Sequence, residues 1–312
     1  MRSEHIAVVG AGTMGHAIAQ IFAVKGHEVF LFDSDQDNLA KAIVRIYSNL
    51  WVLLELGYEL QDEIDCVIER IKPVYSLKEA VEGARFVVET VTENLKIKQK
   101  LFQEMEAYCS PITILASNTS VISISQIAAR TKSKERVVGT HFWNPPYLIP
   151  LVEVIGGKDT LEEVKNYTFN LFQSMGMHPV LVKKDVPGFV GNRLQHALLR
   201  EAISIVEQGI ADPKIVDEVI KKGLGMQLSI LGPLEKADLE GLDQTFMIQS
   251  NLLKFMDRSA SPSAFLTEKL KCGELGLKNG RGFYSWDEET IWKFREGILK
   301  HLVRWNQEPR AD

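Results

Sequence analysis

The chain has 312 residues, a length that suits two domains better than one. Its 45% hydrophobic and 25% charged residues are typical of a globular protein and argue against a disordered or fibrous one. The formal net charge of -5 argues against nucleic-acid binding, which normally requires a basic face. The apolar runs are too short to span a membrane, and the three cysteines are far apart and lack metal-ligand spacing. We therefore expect a cytoplasmic protein without a nucleic-acid, membrane or metal partner.

A glycine-rich turn follows the first predicted strand. The apolar run 5–9 predicts a buried parallel strand, and a helical pattern begins soon after it. In a dinucleotide-binding turn, the first glycine permits the bend, the second admits a pyrophosphate, and the third lets helix and strand pack closely. The N–H groups at the helix N-terminus then favour the phosphates. The residues that form this GxGxxG turn are Gly10, Ala11, Gly12, Thr13, Met14 and Gly15.

Asp33 ends the second predicted strand, 28–32, and lies 18 residues beyond Gly15. At that spacing a carboxylate accepts hydrogen bonds from the adenosine ribose. Asp35 and Asp37 add negative charge that would repel the 2′-phosphate of NADP, and no arginine directly follows Asp33 to offset it. The turn and Asp33 together predict NAD as the cofactor.

The rest of the first domain alternates strands and helices. Two helices are predicted between residues 38 and 70, broken near Gly57. This alternation predicts an α/β fold with a Rossmann-type doubly wound parallel sheet, in which ligands bind beyond the carboxyl ends of the strands. Glu93, Asn118, Ser120 and His141 follow such strand ends. The further predicted strands are 86–91, 112–116, 136–140, 151–155 and 178–182.

The dipeptide Pro187-Gly188 marks the predicted domain boundary. We therefore expect an NAD-binding domain over residues 1–186 and a helical domain for substrate binding and dimerisation over residues 187–312. Helical spacing of apolar residues predicts an all-α C-terminal domain. Its apolar stripe, which includes Leu194 and Leu198, suggests pairing with a second subunit, although burial within one chain would also account for it. The clearest predicted helices are 192–209, 213–223 and 243–255.

Two residues in the first domain suggest proton transfer. His141 directly follows a predicted strand, and histidine is a suitable general base because it titrates near neutral pH. Glu153 stands inside the apolar run 151–155, where a carboxylate is costly without a partner. A short loop separates the two, so they can pair, and the carboxylate would then fix the imidazole tautomer. A histidine at a strand end can also be an ordinary structural residue.

Taken together, these motifs resemble the L-3-hydroxyacyl-CoA dehydrogenase superfamily. The superfamily includes 3-hydroxybutyryl-CoA dehydrogenases and a branch that acts on free acids, the λ-crystallin or L-gulonate 3-dehydrogenase branch. The resemblance covers nearly the whole chain in the expected order. The matching stretches are residues 10–15, 93–98, 117–120, 141–145, 151–154, 187–189, 192–194, 232–233 and 280–284.

The resemblance implies NAD-dependent, reversible oxidation of an L-3-hydroxyacyl compound to the 3-keto product by a homodimer. Ser120 and Asn192 could donate hydrogen bonds to the reacting oxygen, although either could instead cap a helix. The implied roles are His141 as base, Glu153 as its orienting carboxylate, Ser120 and Asn192 as ligands of the substrate oxygen, Glu93, Lys98 and Asn118 at the nicotinamide end of the cofactor site, and Asn144 near the histidine.

The sequence features point to two different substrate classes, a free hydroxy acid and an acyl-CoA. The helical hairpin of superfamily members that use CoA carries basic residues, whereas residues 46–69 of this chain hold six acids and no Lys or Arg. A polyanionic CoA would be repelled within a Debye length of about 8 Å, unless these acids only solvate an exposed face. Residues 280–284 nevertheless resemble the acyl-CoA enzymes. A small free L-3-hydroxy acid is favoured, with Arg193, Lys221 and Lys222 as candidate carboxylate anchors, and a short-chain acyl-CoA is the alternative.

Two other functions would use the same fold. A protein that binds NAD without turnover, as a sensor or structural protein, would need the glycine turn and Asp33 but not the histidine–carboxylate pair. A reductase of the β-hydroxyacid or imine type would typically use a catalytic lysine in the helical domain, where this chain has Asn192.

Overall fold

The computed structural model describes residues 4–307. The first of its two compact units comprises residues 4–192 and 297–307 and is built on one eight-stranded sheet. The strands lie in the spatial order β3-β2-β1-β4-β5-β6-β7-β8. In chain order they are β1 (His5–Val9), β2 (Glu28–Phe32), β3 (Ile71–Val74), β4 (Phe86–Glu89), β5 (Ile114–Ser117), β6 (Val137–Phe142), β7 (Leu151–Gly156) and β8 (His178–Val182).

The predicted Rossmann-type sheet is confirmed, with one difference in strand direction. The six strands from β3 to β6 are parallel, but β7 is antiparallel to β6, and β8 follows the direction of β7. Only residues 143–150 connect β6 to β7, which is too short for a helical crossover between parallel strands. Strand β3 was not predicted, because Pro73 is unfavourable in a strand and is tolerated here at the sheet edge.

Helices cover both faces of this sheet. Helix α2 buries one apolar face, formed by residues at helical spacing: Leu39, Ala42, Ile46, Leu50 and Leu53. Its N-cap residue, Asp35, accepts two backbone N–H groups. As predicted, the segment that follows β2 forms two helices with a break near Gly57. The helices before residue 191 are α1 (Gly15–Val24), α2 (Gln36–Glu55), α3 (Ile64–Glu69), α4 (Leu77–Val81), α5 (Leu95–Tyr108), α6 (Ile124–Ile127) and α7 (Glu162–Ser174).

The second unit, residues 193–296, is helical apart from isolated bridges near residue 281, in agreement with the predicted all-α domain. Helix α8 begins in the first unit, and α14 ends there. A π-helical turn, Ile220–Leu224, separates α9 from α10. The helices are α8 (Gly191–Glu207), α9 (Pro213–Val219), α10 (Gly225–Leu228), α11 (Pro233–Glu240), α12 (Leu242–Leu252), α13 (Ala264–Lys271) and α14 (Glu288–Gln307).

The two compact units divide the chain after residues 192 and 296, and the domain boundary at residue 187 stays a prediction. Residues 187–192 remain with the first unit, and the chain returns to that unit from residue 297. The cause is packing, because Val303 is buried in a cluster with Leu53 and Leu148. The Asn306 side chain also donates to the Leu148 carbonyl over 2.8 Å. The C-terminal half of α14 is therefore part of the cofactor-binding unit.

Over residues 4–307, no helix is long and apolar enough to cross a membrane. The same residues contain no group of three or more His, Cys, Asp or Glu side chains placed to hold a metal ion. Cys66, Cys109 and Cys272 are free thiols.

Candidate active site

The glycine turn has the geometry that a dinucleotide requires. Gly10 has a φ of +103°, a backbone conformation that residues with a side chain rarely adopt. A Cβ at Gly15 would overlap the Gly10 carbonyl oxygen. A Cβ at Gly12 would meet nothing within 4 Å, so the backbone there is open to a phosphate. Helix α1 begins at Gly15, no side chain caps its N-terminus, and the His16 N–H donates to the Gly12 carbonyl over 3.2 Å. These features fit a bound pyrophosphate.

Asp33 is held at the end of β2 by its neighbours. Its Oδ2 accepts the Ala11 N–H and the Asn38 side-chain amide, each over 2.7 Å, and its Oδ1 accepts the Asp35 N–H over 2.9 Å. Arg45 lies within 3.3 Å of the Asn38 Oδ1, a proximity that the sequence did not indicate. The carboxylate is therefore fixed before any ribose binds.

A groove of about 690 Å³ connects Asp33 with the glycine turn and the end of β4. Gly10, Gly12 and Asp33 line one part of it, and Thr90 and Val91 line another. The Thr90 hydroxyl donates to the Gly10 carbonyl over 2.9 Å, which ties the turn to the strand beside it. An extended dinucleotide fits such a groove, with adenosine at Asp33 and the nicotinamide towards β4 and β5.

The three residues expected at the nicotinamide end lie around the ends of β4 and β5. The Glu93 carboxylate accepts the Ser120 and Val121 N–H groups, each over 3.0 Å, and the Thr119 hydroxyl. Burial opposes ionisation of Glu93, but these hydrogen bonds outweigh it and lower its pKa. The Asn118 Oδ1 accepts the Phe142 N–H over 3.0 Å, which links β5 to β6. The Lys98 side chain is fully buried.

His141 and Glu153 form the pair that the sequence predicted. They face each other across the antiparallel β6–β7 ladder, and His141 Nδ1 lies 2.7 Å from Glu153 Oε2. Both residues are at least 95% buried. Because an ionised carboxylate binds the protonated Nδ1, Nε2 is the nitrogen that can accept a proton from a ligand. His141 lies within β6, one residue before its end, whereas it was expected just beyond the strand.

Both oxygens of the Glu153 carboxylate accept hydrogen bonds. Its Oε1 accepts the Val190 N–H over 2.9 Å and the Gly191 N–H over 3.0 Å. Burial alone would raise the pKa of Glu153, but the hydrogen bonds from His141, Gly191 and Val190 reverse that effect and lower it. Glu153 therefore stays ionised beside the imidazole.

Close packing around the pair explains the glycine at the start of α8. A Cβ at Gly191 would overlap the Trp143 ring and lie 3.2 Å from Glu153 Oε2. The Trp143 and Phe189 rings lie 6.0 and 5.9 Å from the imidazole, centroid to centroid. The imidazole is thus held between two aromatic rings and one carboxylate.

Ser120 and Asn192 lie close together, and their role as ligands of a substrate oxygen stays a prediction. The Asn192 side-chain amide donates to the Ser120 carbonyl over 3.0 Å. Ser120 does not cap the following helix, because α6 begins at Ile124. Instead, the Thr119 hydroxyl accepts the Ile122 N–H in this turn over 3.0 Å.

The other residues named from the sequence are divided between the two units: Asn144 belongs to the first, and Arg193, Lys221 and Lys222 belong to the second. Asn144 is exposed in the loop after β6. Arg193 is exposed and is the first residue of the second unit. Lys221 Nζ lies 4.0 Å from an Asp217 carboxylate oxygen on the same helical segment. A role for Arg193, Lys221 or Lys222 as a carboxylate anchor stays a prediction.

One buried charged residue beside the cofactor groove escaped the sequence analysis. Glu89 is the last residue of β4, is fully buried, and pairs with Lys98 over 2.6 Å. The signal that identified Glu153 was also present here, because Glu89 directly follows the apolar run 86–88.

Comparison with known proteins identifies the family. The NAD binding domain of 3-hydroxyacyl-CoA dehydrogenase matches residues 5–186, and the C-terminal domain of the same family matches residues 188–286. A probable 3-hydroxybutyryl-CoA dehydrogenase from Bacillus subtilis is 40% identical and covers 93% of this chain and 100% of its own.

Two solved structures span most of the chain. The 5-formyl-3-hydroxy-2-methylpyridine 4-carboxylic acid 5-dehydrogenase has a TM-score of 0.91 at 33% identity and covers 98% of both chains. A protein of that name from Mesorhizobium japonicum is 34% identical over 96% of both chains. The (S)-3-hydroxybutyryl-CoA dehydrogenase from Ralstonia eutropha has a TM-score of 0.76 at 33% identity, with 92% of this chain and 100% of its own covered. The chain therefore belongs to the 3-hydroxyacyl-CoA dehydrogenase family and is an NAD-dependent oxidoreductase that acts on CH–OH groups.

Proposed function

We propose that this protein oxidises the 3-hydroxyl of a small free L-3-hydroxy acid to the 3-keto acid, and catalyses the reverse reduction. The observation that carries the proposal is the 2.7 Å hydrogen bond between His141 and Glu153 at the rim where the cofactor groove lies. A protein that only binds NAD, as a sensor or structural protein, would not need this pair.

The residues have distinct roles in the proposed reaction. His141 Nε2 takes the proton of the substrate hydroxyl, and Glu153 stabilises the imidazolium that results. The Ser120 hydroxyl and the Asn192 amide hold the substrate oxygen as it becomes a carbonyl. When bound, NAD supplies the hydride acceptor. In the reverse direction His141 returns the proton to the alkoxide oxygen.

The charge of the helical hairpin supports a free acid over an acyl-CoA. The six acidic residues between positions 46 and 69 are all exposed, and no Lys or Arg occurs in that range, although Arg70 pairs with one of the acids, Asp62, over 2.7 Å. A polyanionic CoA would therefore meet repulsion along this hairpin. The relative with a TM-score of 0.91 is named for a pyridine carboxylate, which also favours a free carboxylate as substrate. A short-chain L-3-hydroxyacyl-CoA remains the second candidate, because the Bacillus subtilis relative is named for 3-hydroxybutyryl-CoA.

A homodimer is also part of this proposal. The second unit exposes many large apolar side chains, and five of them are at least 73% exposed: Ile230, Leu234, Leu239, Phe246 and Phe255. Large exposed apolar surfaces usually mark sites of association. A symmetric contact between two copies would cover the same surface on each. A cytoplasmic location likewise stays a prediction from the cysteine pattern.

A substrate screen tests the proposed reaction. NADH formation is followed by absorbance with L-gulonate, carnitine and L-3-hydroxybutyrate, each beside L-3-hydroxybutyryl-CoA. We expect turnover of at least one free acid, and expect that turnover to disappear in a His141→Gln variant that still binds NADH. Turnover that survived this substitution would contradict the assigned base.

A further inference from the structure

A buried cluster of charges lies at the carboxyl ends of β4 and β5. Lys98 Nζ lies 2.6 Å from Glu89 Oε1 and 3.4 Å from Glu93 Oε2. The Glu89 and Lys98 side chains are both 0% exposed, and Glu93 is 36% exposed. One ammonium group therefore stands between two carboxylates, and we call these residues the Glu89–Lys98–Glu93 triad. The proposed hydride transfer does not require Glu89.

The contacts of Glu89 favour its ionised form. Besides the ammonium, its carboxylate accepts the Val91 N–H and the Ser117 hydroxyl, each over 2.7 Å. Burial is the larger effect and raises the pKa of Glu89 above its ordinary value, although the Lys98 ammonium and these two donors act in the opposite direction. A fully buried ammonium also needs a counter-charge. With both carboxylates ionised, the triad carries one net negative charge.

The triad lies directly behind the wall of the cofactor groove. Glu89 accepts the Val91 N–H, and Lys98 donates to the Val91 carbonyl over 3.2 Å. Val91 and the next residue, Thr92, line the groove. Because Asp33 lies at the other end and the glycine turn lies between, the nicotinamide end falls beside the triad.

We propose that Glu89 is a specificity-determining residue that strengthens the binding of oxidised NAD relative to that of reduced NADH. The two forms of the cofactor differ by one positive charge on the nicotinamide ring. A net negative charge held in a poorly solvated region attracts the oxidised ring and has little effect on the neutral one. The inference rests on NAD binding and not on the proposed substrate.

Equilibrium titration without substrate tests this role. The Glu89→Gln variant keeps the side-chain shape and can still bond to Val91 and Ser117, but removes the charge. Calorimetry with NAD and fluorescence titration with NADH give the two Kd values for the purified full-length protein. We expect the Kd for NAD to rise about fivefold to tenfold, the order that one unit charge produces through an effective dielectric of about 20. The Kd for NADH should change less than about twofold on the same reasoning.

Either of two results would overturn the proposal. Equal weakening of both cofactor forms would mean that Glu89 only supports the fold. Unchanged Kd values would mean that the triad carries no net charge at the cofactor. These outcomes do not depend on which hydroxy acid is turned over, so a failure of the proposed reaction would be recognised separately.

Three further variants complete the design. Ser117→Ala removes a hydrogen bond from Glu89 without removing the carboxylate, and should change the ratio of the two Kd values less than Glu89→Gln does. Glu106→Gln removes a carboxylate of the same unit that pairs instead with Arg136, and should also leave the ratio unchanged. If Glu89→Gln does not fold, the partly exposed Glu93 gives a second test. Glu93→Gln removes the same charge and should raise the Kd for NAD selectively, and an unchanged ratio there would also overturn the proposal.

Discussion

Within the active site, His141 and Glu153 are joined by one hydrogen bond but should respond differently to replacement. His141→Gln removes the base and should lower kcat about 10²- to 10⁴-fold. Glu153→Gln keeps the base but no longer favours the imidazolium, so the loss should be smaller. Steady-state kinetics measure both effects, and fluorescence titration should show NADH binding unchanged in each variant. An equal loss of NADH affinity and of kcat would contradict a role in proton transfer.

The lowered pKa of Glu153 predicts a particular pH dependence of stability. A carboxylate whose pKa is lower in the folded state stabilises the fold fully above its ordinary value of 4.5, and this contribution is lost as the pH falls through the lowered pKa. The difference in free energy of unfolding between the wild type and Glu153→Gln should therefore shrink as the pH falls below 4.5. Urea titrations above and below that pH measure it. A constant difference would show that the carboxylate is not ionised by its partners.

A carboxylate within an apolar run signals a buried ion pair, and the sequence analysis recognised this signal at Glu153 but not at Glu89. Glu153 stood out in the sequence because a carboxylate inside an apolar strand requires a partner. Glu89 carries that signal too, yet its partner Lys98 is supplied by a helix nine positions later and was assigned to the cofactor by resemblance. The sequence shows that a buried charge needs a partner, but the fold decides which of several nearby charges supplies it.

At the scale of elements, the start of α8 must lie close to β6 and β7. Gly191→Ala should push the new methyl group into the Trp143 ring and displace Glu153, and so lower the free energy of unfolding by about 1–3 kcal/mol. It should also reduce kcat. Gly297→Ala is the matched control, because its Cβ meets nothing within 4 Å in α14 and should stabilise by about 0.5–1 kcal/mol. Equal effects of the two substitutions would contradict this packing.

The sequence predicted where most strands lie but not the direction in which each strand runs. An apolar run predicts a buried strand but not whether it runs parallel or antiparallel to its neighbour. The connection after β6 has only eight residues, and parallel neighbours require a longer crossover, so its length indicates that β7 is antiparallel to β6. This reversal matters for function because it places His141 directly opposite Glu153.

For the whole molecule, the exposed apolar side chains of the second unit predict that two copies of the chain associate. We expect light scattering after size exclusion to give twice the mass of one chain. Phe246→Asp should shift the protein towards the monomer, because it places a charge on a large apolar side chain that is 74% exposed. Lys72→Asp, on an exposed position of β3 in the first unit, should leave the mass unchanged. A wild-type mass of one chain would refute the homodimer.

The C-terminal helix sets this chain apart from the two family domains, which together end at residue 286. Helix α14 begins at Glu288, and its second half packs on the first unit. The predicted helical domain, residues 187–312, included this helix, because periodicity identifies a buried face without identifying what covers it.

The most direct test of the central claim compares one acyl chain in two forms. The ratio of kcat/KM for free L-3-hydroxybutyrate to that for L-3-hydroxybutyryl-CoA, with NAD saturating, isolates the effect of the CoA group. The acidic hairpin predicts a ratio above one. A ratio far below one would show that the protein acts on acyl-CoA and that the acidic hairpin does not exclude it.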